Sequence, residues 1–199
     1  MIAEALASIT FAIVIYQDFK ERMVSDLAWI PAVVSLPVLF YESANDWRLT
    51  VFKLIVVAIV AGVSWLIGAF GQADSIALAF MGISTYALSP LPQFILMSVA
   101  ALVHISWLMI KNRSFRIERT MSVEQALEQS VWIPKRLRFE DKEIQLSTNP
   151  EEAWQALDEY KGKKGEVIAT YGVPLAAYMG IGYILAFIMS IASQLTFHL

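Results

Sequence analysis

The chain has 199 residues, 57% of them hydrophobic, with a formal net charge of −3 and a mean hydropathy of +0.57. That composition excludes an ordinary soluble domain and makes an all-α polytopic membrane protein the expected fold. The absence of cysteine removes disulfides, thiolate catalysis and cysteine-ligated zinc or iron–sulfur sites.

The first apolar segment runs from about Ala3 to Gln17 and ends at Asp18. It has no basic leader region, carries Glu4 near its start and leads into charges, so it is expected to be a permanent helix rather than a cleaved signal. Glu4 is expected near the opposite membrane face, in contact with headgroups or water. A second span is expected over Leu27 to Tyr41, with Ser25 and Asp26 as its N-terminal cap. Leu54 to Ala73 then gives 20 consecutive residues without a charge, about 30 Å of helix and enough to cross the hydrocarbon.

Asp74 follows in Gly71-Gln72-Ala73-Asp74-Ser75-Ile76-Ala77-Leu78, in the turn before a short fourth span, Ser75 to Leu88. Ser89-Pro90-Leu91-Pro92 is a turn before the fifth span, Gln93 to Ile110. His104, inside that span, reads as a packing residue, and His198 as tail. Residues 111–166 form the one sizeable polar segment, with 11 of the 15 basic and 11 of the 18 acidic residues. Its local neutrality gives no indication of nucleic-acid binding.

Within this segment, Ser122-Val123-Glu124-Gln125 reads as a capping box and Asn149-Pro150-Glu151-Glu152 as a second helix start. Trp132 to Leu146 alternates in the manner of a hairpin or an extended segment. A small mixed cytoplasmic cap is expected, with Trp132, Phe139 and Trp154 in its core and Lys161-Gly162-Lys163-Lys164-Gly165 as a flexible basic link. Residues 167–199 carry no Asp, Glu, Lys or Arg over 33 positions, more than one span needs, so Gly172-Val173-Pro174 is expected to interrupt the helix.

The expected organisation is therefore six spans: residues 1–110 with five helices, 111–166 as a soluble insert, and 167–199 with the sixth helix. While the Tyr41 to Lys53 loop contributes only Arg48 and Lys53, Lys20 and Arg22 follow the first span, and Lys111, Arg113, Arg116 and Arg119 the fifth. The positive-inside tendency puts these loops in the cytoplasm and both termini outside. Asp18 and Asp74 then fall on the cytoplasmic side.

Ionisable residues at membrane depth default to functional hypotheses. Asp18 also fits an interfacial charge cluster with Lys20, Glu21 and Arg22, and Asp74 fits a helix cap. If the two approach in a desolvated pocket, one retains a proton while the other activates water, the arrangement of an aspartic protease, with no metal or other cofactor required. Gly71 and Ala73 would let backbone or substrate come close to Asp74. Asp26 is the nearest rival to Asp18.

Gln17-Asp18-Phe19-Lys20-Glu21-Arg22-Met23-Val24-Ser25-Asp26 resembles the first catalytic segment of the archaeal preflagellin and type IV prepilin peptidases, membrane aspartyl proteases of the GxGD type. Gly71-Gln72-Ala73-Asp74 is similar to their GxGD motif, with alanine in place of the second glycine. Gly172-Val173-Pro174-Leu175-Ala176-Ala177 resembles the proline-containing start of their last span and the Pro-Ala-Leu element of presenilin-like proteases. The resemblance covers nearly the whole chain. It implies catalytic roles for Asp18 and Asp74, and a substrate-binding or site-shaping role for Gly71, Gln72, Ala73 and Pro174.

The implied partners are archaellin or type IV pilin precursors, whose apolar helix would lie in the bilayer and whose basic leader would face the cytoplasm. Glu21 and Asp26 are placed to attract that leader. The cysteine-rich segment of many bacterial relatives is missing, and nothing suggests their amino-terminal methylation. Two other classes stay open: a small transporter or channel, in which Gly62, Gly68, Gly82, Gly180 and Gly182 mark close helix packing, and an inactive assembly factor, which the Ala73 departure favours.

Overall fold

The computed structural model describes residues 2–44, 46–66, 72–84, 91–112, 118–140, 142–147 and 150–196. The chain forms two compact units, one of Met1–Phe19, Met23–Val103 and Pro174–Leu199, the other of Lys20–Arg22 and His104–Val173.

The first unit is helical. Its elements are α1 (Ile2–Glu21), a 3-10 turn (Asp26–Trp29), α2 (Ile30–Ala44), α3 (Trp47–Leu66), α4 (Gln72–Ile83), α5 (Leu91–Asn112, with its last turns in the other unit) and, after the second unit, α8 (Leu175–Thr196). These six helices follow the order of the six expected spans. Among the described residues three of them, over Ile2–Glu21, Leu91–Lys111 and Leu175–Gln194, are long and apolar enough to cross a membrane. Those three leave Ile9, Ile13, Val99, Leu102, Ile188 and Met189 exposed, a surface that hydrocarbon accepts and water does not.

The bundle closes around Phe11, which is fully buried. Its ring meets Trp29 edge-on at 6.0 Å and Phe80 edge-on at 6.4 Å, and lies tilted against Tyr183 at 4.6 Å. Edge-to-face and offset contacts are the favourable geometries for such rings, so one side chain fixes α1 against the 3-10 turn, α4 and α8. Close approach elsewhere depends on missing side chains. A Cβ at Gly82 would lie 2.7 Å from Val57 Cγ2 on α3, one at Gly180 within 3.0–3.2 Å of Ile15 and Phe11 on α1, and one at Gly182 would collide with the Gln93 carbonyl on α5. Gly62 faces open space, and Gly68 lies outside the described residues.

Three expectations for this unit are corrected. Helix α3 begins at Trp47, before the charge-free run at Leu54, and so includes Lys53. Lys53 is 3% exposed and its ammonium donates to the Ser84 carbonyl at 2.7 Å; a cation satisfied within the bundle does not act as a loop residue. Glu4 is 1% exposed and accepts from the Tyr183 hydroxyl, rather than meeting headgroups or water. The last helix starts only at Leu175, because residues expected at its beginning form a strand.

The second unit holds a four-stranded antiparallel sheet of β1 (Glu118–Ser122), β2 (Trp132–Phe139), β3 (Lys142–Gln145) and β4 (Glu166–Tyr171), in the order β1-β4-β2-β3. Helices α6 (Val123–Glu128) and α7 (Pro150–Asp158) pack on it. The expected capping box is present: Ser122 Oγ accepts from Gln125 N at 3.2 Å, and Gln125 Oε1 from Ser122 N at 3.3 Å. The expected hairpin is β2–β3, which turns at Glu140 with a φ of 47°.

Leu137, Val123, Ala126, Ala153, Leu157, Val167 and Ala169 form the fully buried centre of this unit. Trp132 and Phe139 pack against it half-buried, as expected, whereas Trp154 is half-buried outside that cluster. Arg22 also belongs to this unit. It follows α1 with a left-handed φ of 55°, donates from Nε to the Gly172 carbonyl at 2.7 Å, and lies over the Tyr171 ring at 4.6 Å. His104 is half-buried between the rings of Trp107 and Tyr171, each at 6.0 Å.

Candidate functional site

Asp18 lies in the last turn of α1, and its carboxylate is directed into the first unit; the residue is 7% exposed. Its Oδ2 accepts the backbone N–H of Ala177 at 2.8 Å. The reason lies in the local sequence of α8. Pro174 occupies the cap position just before Leu175, where its carbonyl accepts the Tyr178 N–H at 3.1 Å, but a proline side chain cannot serve the free N–H groups of the first turn. A carboxylate from another helix serves one of them instead, where the helix dipole favours negative charge. Phe19 meets Tyr178 edge-on at 6.0 Å beside this bond.

The turn after Asp18 is ordered by its own contacts. Gln17 Oε1 accepts the Ser25 N–H at 3.0 Å, and the Ala28 N–H donates to the Ser25 carbonyl at 2.9 Å. Ser25 makes no side-chain cap bond, and Asp26 is an exposed residue opening the 3-10 turn. Lys20 and Glu21 pair at 3.1 Å with both side chains exposed. Of the acidic groups in this segment, Asp18 is thus the one withdrawn from solvent.

Asp74 is the third residue of α4 and is half-buried. The helix starts earlier than expected, so Asp74 sits inside its first turn rather than at the cap position, still near the positive end of the dipole. Ala73, also half-buried, packs against the apolar core of the bundle. Gln72 is the first residue of α4, and Gly71 lies outside the described residues.

The level of the two carboxylates along the bundle follows from the contacts between their helices. Phe11 on α1 packs on Phe80 on α4. Glu4, at the start of α1, acts electrostatically on Lys53, which bonds to Ser84 just past the end of α4. The two helices therefore run antiparallel. At 1.5 Å per residue, Asp18 lies about 10 Å beyond Phe11 and Asp74 about 9 Å before Phe80, on the same side of the aromatic contact. Helix α4 also packs on α8, whose first turn holds Asp18.

Sequence reasoning missed two features. The Ala177 amide is a backbone group with no signature of its own. The polar groups at the other end, Glu4, Lys53, Ser84 and Tyr183, come from four separate stretches of chain, all 0–3% exposed. The signal that could have found them is the intramembrane position of Glu4 and Tyr183. Comparison of the chain with family models, with curated proteins and with solved structures finds no match.

Proposed function

We propose that the protein is a six-span membrane aspartyl endopeptidase that removes the short basic leader of archaellin or type IV pilin-like precursors. In this reading Asp18 and Asp74 are the catalytic pair near the cytoplasmic face, and both termini lie outside. The observation that carries it is the Asp18 carboxylate, buried at the end of an apolar helix and bonded to an amide three residues after Pro174. A carboxylate retained there against its desolvation cost has a use beyond ending a span.

The chemistry needs no group outside the chain and water. One carboxylate, ionised, takes a proton from water as its oxygen attacks the scissile carbonyl carbon. The other, protonated, gives its proton to the carbonyl oxygen, forming a tetrahedral diol. On collapse the C–N bond breaks and the leaving nitrogen takes a proton from the first carboxyl, while a hydroxyl proton returns to the second carboxylate. Gly71, Gln72 and Ala73 precede Asp74 in sequence, Pro174 lies three residues before the amide bonded to Asp18, and together they would shape the backbone path of an extended substrate.

The test is cleavage of archaellin and pilin precursors by membranes carrying wild type, Asp18→Asn, Asp74→Asn and Asp26→Asn, with folding checked for each. Loss in the first two alone is expected. Cleavage surviving in both overturns the assignment, and wild type inert toward every precursor would turn attention to transport or assembly.

A further inference from the structure

Helix α8 meets α1 over residues 177–183 through two kinds of contact. In the middle, Phe11 and Ile15 close over Gly180. At the ends the contacts are polar: Asp18 Oδ2 with the Ala177 N–H at one, Glu4 with the Tyr183 hydroxyl at the other. Glu4 and Asp18 are 14 residues apart, about 21 Å of helix. Ile15 with Gly180, Asp18 with Ala177 and the Phe11 ring with that of Tyr183 share one antiparallel register, and the Tyr183 side chain reaches about two turns further along α1, from Phe11 to Glu4.

The contact over Gly180 favours the register that puts the missing side chain under Phe11 and Ile15, but the atoms it spares are side-chain atoms that can give way. A buried polar pair specifies register, since a slip leaves a carboxylate and a hydroxyl desolvated without each other; register is the best attested use of such groups. Glu4 is 1% and Tyr183 0% exposed, and Lys53, 3% exposed on α3, experiences the field of the Glu4 carboxylate. Nothing in the proposed reaction uses this end of the bundle.

We propose that Glu4 and Tyr183 form a register pin for the α1–α8 pair and are positioning residues for Asp18, holding its carboxylate at the Ala177 amide from the far end of the same helix. The role in turnover rests on the peptidase reading; the pin itself does not.

A cysteine-free chain allows a direct test. With Ile15→Cys and Gly180→Cys, oxidation reports the register, because a Cβ at 180 lies 3.0 Å from Ile15 Cγ1, within reach of a disulfide. Tyr183→Phe removes the hydroxyl and leaves the Glu4 and Lys53 charges in place. In that variant the crosslink yield should fall severalfold, and precursor cleavage should lose about 10- to 100-fold in kcat with KM within about twofold. Glu4→Gln keeps an acceptor for the hydroxyl and should keep the crosslink.

If Tyr183→Phe does not accumulate in membranes, Glu4→Leu combined with Lys53→Met removes the acceptor without stranding a charge, and the same crosslink is read. Parent-level crosslinking in a folded chain without the pair overturns the pin, whatever the cleavage result. A lost crosslink in a protein whose parent cleaves no precursor upholds the pin and sinks the peptidase reading instead.

Discussion

The backbone N–H of Ala177 donates to Oδ2 of Asp18 across 2.8 Å, joining the last turn of α1 to the first turn of α8. The bond gives Asp18 two separable properties, an acceptor atom that caps a helix and a carboxyl that can exchange a proton. Asp18→Asn preserves the acceptor and removes the titrating group, whereas Asp18→Ala removes both. Unfolding in bicelles should find Asp18→Ala less stable than Asp18→Asn by about 1–2 kcal/mol, the usual worth of a cap, while precursor cleavage is lost in both. Equal stability would show that the bond contributes nothing to the fold.

Lys53 and Glu4 should behave as a coupled pair. Both are buried; Lys53 bonds to the Ser84 carbonyl and also feels the charges of Glu4 and Asp46, so losing either member leaves the other less compensated. Glu4→Gln and Lys53→Met are each expected to destabilise the fold, and the double variant by less than the sum. A thermodynamic cycle of the two in bicelles measures the coupling; additivity would mean that the charges do not interact.

These two relationships mark where the sequence was legible. Asp18, the capping box at Ser122 and the β2–β3 hairpin announce themselves locally, through a charge closing an apolar run, a four-residue signature and an alternating pattern. A charge-free window misplaces Lys53 because it identifies a span by what lipid tolerates, and a cation bonded to a carbonyl inside the bundle breaks that rule. The charge-free run places residues 167–171 in the last helix for the opposite reason: the alternating Val167 and Ala169 of β4 are apolar because they face the sheet's own core. Reading Asp74 as the end of a loop sets the start of α4 three residues late, since an acidic residue suits a first helical turn equally well.

Glycine packing gives a third prediction. A Cβ at Gly82 would meet Val57 Cγ2 at 2.7 Å, so Gly82→Ala should cost about 1–3 kcal/mol. Val57→Ala in the same chain should restore most of it by opening the space. Gly62→Ala, with nothing within 4 Å, should be neutral or slightly stabilising in the helix. Thermal denaturation of the four chains in one detergent makes the comparison, and equal losses at Gly62 and Gly82 would remove close packing as the explanation.

The second unit offers a prediction independent of any membrane helix. Ser122 and Gln125 satisfy each other's backbone N–H groups at the start of α6, a helix of six residues too short to persist without its cap. Ser122→Ala should destabilise this unit by about 1 kcal/mol. Leu137→Ala, at a fully buried position in β2, should cost about 2–5 kcal/mol through the cavity it leaves. Hydrogen exchange on the full chain distinguishes the two. Loss of the cap should speed exchange chiefly in α6, because only its first turn loses a partner, while the cavity should speed exchange across β2 and β4 together, because their shared core is what protects both strands. Faster exchange confined to α6 in both variants would mean that Leu137 does not anchor the sheet.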